Sequence, residues 1–214
     1  MDDPTNVELV RYLNLMEQVK RRVRFVEAVL TGKVSFADEQ ADYEVVALQF
    51  RKILETIAFA TLVANRKEYE AQHSSFATQW RAKDILAKME KLNPEFYPVP
   101  FTIEELGPGR KHLTPITAGI LTKDDFAFLY DRCSETIHEW NPFSPRERSI
   151  DFREPPLEWL KRSWLLLANH FISFVGRDNR WVITMVEASD SKAHGYNIES
   201  LGPLPDDWFK NAQS

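Results

Sequence analysis

Residues 45–65 read VVALQFRKILETIAFATLVAN, and Arg51, Lys52 and Glu55 are the only charges in the run. A helix that is apolar round most of its circumference must be buried on most sides. The segment from about Asp38 to Asn65 is therefore expected to be the central helix of the fold. Upstream, Leu9, Leu13, Met16, Val19, Val23, Val26 and Leu30 recur at intervals of three and four, which predicts an amphipathic helix over about 6–31 that stops near Gly32. That stripe needs a partner helix. Downstream, a helix over about 76–92 carries Trp80, Ile85, Leu86, Met89 and Leu92 on one side and ends at Asn93-Pro94.

Residues 93–121 hold five prolines and three glycines, and read as a long irregular loop. Thr122 and Asp125 then form a capping box that launches Phe126, Phe128, Leu129, Cys133 and Ile137 into a helix over about 122–140, closed by Pro142. Beyond it, Leu157–Asn169 reads as a helix. Phe171–Val175 and Trp181–Glu187, joined by a Gly176-Arg177-Asp178-Asn179 turn, read as a terminal β-hairpin. The expected fold is mainly α: a bundle of four to five long helices in 1–145, with 146–214 as an appendage of one helix and a small hairpin.

A length of 214 residues suits one sizeable core. No apolar run approaches the roughly 20 residues that span a bilayer, and Met1-Asp2-Asp3 lacks the basic and apolar regions of a signal peptide. A soluble cytoplasmic protein with no membrane partner is expected. Cys133 is the single cysteine, which rules out an internal disulfide or a thiolate cluster, and His73, His112, His138, His170 and His194 show no paired ligand spacing. Neither a metal nor another cofactor is expected. A formal charge of −5 opposes broad electrostatic capture of nucleic acid, so any RNA contact must rest on a local basic surface.

The stretch Tyr130-Asp131-Arg132-Cys133-Ser134-Glu135-Thr136-Ile137-His138 places an arginine and a histidine six positions apart near a helix end. An imidazole can exchange a proton near neutral pH, and a guanidinium holds phosphate oxygens with paired hydrogen bonds. On a straight helix the two lie about 120° apart and about 9 Å along the axis. The arginine's reach, or the break that Asn141-Pro142 imposes, must close that gap. The other use of such a pair is a surface arginine and a histidine that caps carbonyls. Arg51 and Glu55, four apart on the apolar helix, form either a structural ion pair or a device in which Glu55 orients Arg132 or His138. Lys20, Arg21, Arg22 and Arg24 make the densest basic patch, either a solvated face or an RNA track, and Arg146, Arg148 and Arg153, which follow the motif, are the next candidates for RNA contact. Cys133 reads as a buried thiol, and Trp159, Trp164 and Trp181 as core of the C-terminal unit, with base stacking as their other use.

With its Arg132-x5-His138 motif at a helix end and its succession of long helices, the region from Glu39 to Phe143 resembles the HEPN domain (higher eukaryotes and prokaryotes nucleotide-binding). The polar residue that commonly follows the family's arginine is replaced here by Cys133, with Ser134 next. The resemblance implies a metal-independent endoribonuclease acting on RNA as a homodimer, a toxin or antiphage effector with an antitoxin or defence partner. Arg132 and His138 would be catalytic, supported by Glu55, Arg51 and Ser134. His138 would act as general acid or base and Arg132 would stabilise charge on phosphate. Two other functions fit the same residues: an inactive HEPN-like module that binds a nucleotide or regulates a partner protein, and a structural subunit whose first-helix stripe is an interface.

Overall fold

A computed structural model of the chain describes residues 4–72, 81–108, 110–139, 141–143, 150–175 and 179–198. In chain order these form α1 (Pro4–Leu30), α2 (Glu39–Ala64), α3 (Arg66–Gln72), α4 (Ala82–Leu92), β1 (Val99–Gly107), β2 (Arg110–Pro115), α5 (Lys123–Ile137), α6 (Pro156–Leu167), β3 (Asn169–Ser173), β4 (Arg180–Thr184) and β5 (His194–Ile198). The expected Trp80 and most of the Gly176–Asn179 turn lie outside the described residues.

α2 is the central helix. It packs against α1, α4 and α5 and buries Val46, Phe50, Ile53, Leu54 and Ile57. Each such side chain contributes about 1.5–3 kcal/mol when fully withdrawn from water, so this one helix organises the helical half. Its start is fixed by Asp38, whose carboxylate accepts from the Ala41 N–H at 2.8 Å. The α1 stripe meets α2 within the chain: Leu9, Met16, Val19 and Val26 are buried in the common core. Much of that stripe is consequently covered by the chain's own core, with Leu13, Val23 and Leu30 partly buried against it. The Thr122–Asp125 capping box forms, with the Asp125 N–H donating to Thr122 Oγ1 at 3.0 Å.

The fold class differs from the expected one. The chain is not a mainly helical bundle with a small hairpin but an α+β protein, with a five-stranded antiparallel sheet in the order β2-β1-β3-β4-β5. The supposed loop at 93–121 supplies two of its strands. β1 and β2 pair from Phe101↔Pro115 to Gly107↔Arg110, and β1 joins the C-terminal strands through Val99↔Phe171 and Pro100↔His170. The prolines misled because they occupy places where a ladder can lack an N–H: Pro108 lies in the turn, Pro115 ends β2, and Pro100 still offers its carbonyl, which accepts from the Ile116 N–H at 3.0 Å. The alternation Val99, Phe101, Ile103 was the strand signal.

One sheet face, with Ile172, Trp181 and Ile183, joins the helical core; the other collects Val99, Phe101, Phe171 and Val182 in a separate cluster. The sheet therefore draws strands from both sides of residue 145. At its centre His170 is fully buried, with Nδ1 2.8 Å from the Leu167 carbonyl and Nε2 2.6 Å from the Tyr12 hydroxyl of α1. A carbonyl can only accept, so Nδ1 carries the proton and Nε2 accepts from Tyr12. No described helix is long and apolar enough to cross a membrane.

Candidate functional site

α5 runs alongside α2 and presents its polar residues on two faces. On the α2 side, Arg51 donates through Nε to Glu55 Oε1 at 3.1 Å, through one terminal nitrogen to Ser134 Oγ at 3.1 Å, and through the other to the Tyr130 hydroxyl at 3.2 Å. Its guanidinium also lies 4.9 Å from the Tyr130 ring centroid. The three residues expected to support the motif thus meet, but they meet one another. Glu55 turns to Arg51 and does not orient Arg132. Nearby, Arg22 of α1 donates to Gln49 Oε1 at 2.8 Å. The cluster ties α1, α2 and α5 together through their partly buried polar groups, each of which would be costly to bury unpaired.

Arg132 is two positions from Ser134 and so about 160° round the helix from it. Its Nη2 donates to Glu135 Oε1 at 2.6 Å and its guanidinium carbon lies 5.7 Å from the Phe128 ring centroid. The Nε of Arg132 is buried without a hydrogen-bond partner. Arg153, from the link before α6, comes to the same ring at 3.8 Å. His138 is exposed and ends the helix with φ −99° and ψ 142°, where the chain leaves the helical path. Asn141 then folds an Asx turn, accepting from the Phe143 N–H at 3.0 Å, and Phe143 is 90% exposed.

Between the first half of α2, the end of α5 and the start of α6 is a cleft of about 410 Å³. Its walls include Tyr43, Phe50, Phe152 and Trp159, with Thr136 contributed by α5. Thr136 donates to the Arg132 carbonyl at 2.9 Å, and Trp159 lies 6.0 Å from Phe128, so the cleft adjoins the arginine pair. Sequence reasoning did not find this cleft, because its residues come from three separated segments with no common motif. The stacking of Arg153 on Phe128 was equally hidden: the sequence marks Arg153 as a basic residue after the motif but not the ring it meets.

The α1 basic run is divided. Lys20 is 3% exposed and donates to Glu17 Oε1 at 2.8 Å and to the Ser191 carbonyl at 2.6 Å, which makes it a tie between α1 and the loop before β5. Glu17 answers from its side: burial raises its pKa, but the Lys20 and Ala193 hydrogen bonds outweigh that and hold it below the ordinary value. Arg21 and Arg24 are exposed. Arg146 and Arg148 lie outside the described residues. Cys133 is buried, and desolvation pushes its thiol up to about 12, so it is no nucleophile. Trp159 and Trp181 are buried and Trp164 packs against the core. Among the described residues no three His, Cys, Asp or Glu side chains are grouped to hold a metal ion.

Compared with known proteins, the chain matches no family model, no curated protein and no solved structure.

Proposed function

We propose that this protein is a metal-independent endoribonuclease whose reacting groups are Arg132 and His138. The observation that carries the reading is their placement in the C-terminal part of α5, with His138 at its end. Both stand apart from the partly buried Arg51–Glu55–Ser134 cluster, one as a guanidinium at the surface of an aromatic platform, the other as an exposed imidazole where the helix stops. The Arg132–Glu135 pair is no obstacle, since exposed ion pairs are weak in water and exchange for a better anion. In the mechanism His138 takes the proton of the 2′-hydroxyl or gives one to the departing 5′-oxygen, while Arg132 stabilises the charge on the phosphate. One imidazole serves one end of an in-line displacement. A second copy of the chain, related by a two-fold axis, supplies the other. An activity of this kind suits a toxin or antiphage effector held in check by a partner protein.

The test is cleavage of RNA in excess chelator, with Arg132→Ala and His138→Ala each expected to slow it by about 10²-fold or more. Activity lost with chelator and restored by a divalent cation would sink the mechanism. A second reading, an inactive nucleotide-binding module, is favoured by the aromatic cleft beside Arg132. Binding of nucleotide with no cleavage at any pH would select it.

A further inference from the structure

We infer that Arg153 and Arg132 together hold a phosphate across Phe128, and that the neighbouring cleft takes the unpaired base attached to it. This deepens the proposed function and rests on its reading of RNA as the ligand. Two guanidiniums share one aromatic ring, at 3.8 and 5.7 Å from its centroid. A ring face attracts a cation, but two cations at one ring repel each other unless an anion joins them. Glu135 supplies one carboxylate, to Nη2 of Arg132 alone, and no carboxylate among the described residues pairs with the Arg153 guanidinium. A phosphate that displaces the Glu135 carboxylate accepts from Nη2 of Arg132 and offers a further oxygen to Arg153.

The presentation of Arg153 is built. Its backbone sits at φ 62°, a left-handed conformation that disfavours a side chain, and its N–H donates to Asp151 Oδ1 at 2.7 Å. Strain of this type is kept where the surroundings impose it, and it gathers at ligand sites. The adjacent residue Phe152 lines the cleft, and its carbonyl accepts from Trp159 Nε1 at 2.9 Å. The same turn that aims Arg153 at Phe128 therefore shapes the cleft wall. At about 410 Å³ the cleft falls within the range of about 300–1,000 Å³ usual for small-ligand sites. Its walls carry aromatic rings and no charged side chain, which suits a flat, uncharged heterocycle and not a second phosphate. A base paired in a duplex could not enter, so the ligand is single-stranded.

The experiment is calorimetric titration of the full chain with uridine 3′-monophosphate and, separately, ribose 5-phosphate at low salt. The nucleotide should bind more tightly than the sugar phosphate. Arg153→Ala should raise the nucleotide Kd about tenfold or more and flatten its salt dependence, with Tm unchanged because Arg153 is exposed. Tyr43→Ala, at a half-exposed wall residue, should weaken the nucleotide several-fold and leave ribose 5-phosphate alone. An Arg153→Ala protein with wild-type affinity, equal binding of the two probes, or a wild type that binds neither would each overturn the inference. Binding as described without RNA cleavage would remove the hydrolytic reading and keep this one. Cleavage with both variants unaffected in binding would do the reverse.

Discussion

His170 makes the stability of this protein sensitive to mild acid. Burial lowers its pKa from 6.5 to about 4, opposed in part by the hydrogen bond to the Leu167 carbonyl. Protonation would put a hydrogen on Nε2, where the Tyr12 hydroxyl must then turn round and leave its own hydrogen without an acceptor in the core. The sign follows from proton counts. Between pH 6.5 and 4 the unfolded chain binds a proton that the folded chain refuses, so stability falls as pH falls through that window. The His170 contribution is intact above pH 6.5, reduced by about 2 kcal/mol at pH 5 and by about 3 kcal/mol at pH 4. Urea unfolding of the wild type and of His170→Gln at pH 7.5, 6, 5 and 4 isolates it, since carboxylates titrate in both proteins and cancel in the difference. The glutamine can still accept from Tyr12 but has no such titration. A difference between the two proteins that stays flat from pH 7.5 to 4 would show that His170 is not held neutral in the core.

Arg51→Met should destabilise the chain by about 2 kcal/mol, because Glu55, Ser134 and Tyr130 lose a shared donor in a partly buried setting; an unchanged urea midpoint would show that the cluster does not tie α2 to α5. Cys133 should react with a thiol reagent at pH 8 only as fast as the protein unfolds, given a thiol buried and pushed up to about 12. Rapid labelling of the native protein would contradict that burial.

The helical half of the fold was legible in the sequence because its signals are local. The three charges among the apolar residues of 45–65 mark α2 as surrounded, the stripe from Leu9 to Leu30 marks the buried face of α1, and Thr122 with Asp125 marks the start of α5. Each of these is decided within a few turns of one helix. The sheet was not legible in the same way. β1 gains its place by pairing with residues some seventy positions away, and Pro100 within it looks like a breaker until the partner strand shows which backbone N–H groups are not needed. The site divides along the same line. The sequence by itself determined that an arginine and a histidine stand near the end of one helix. Only the tertiary structure decided that Arg51, Glu55 and Ser134 serve one another, that Lys20 is spent on the loop before β5, and that Arg153 meets Arg132 at Phe128. Helix spacing gives the direction of a side chain, but which group it meets there depends on segments that approach through packing of the whole core.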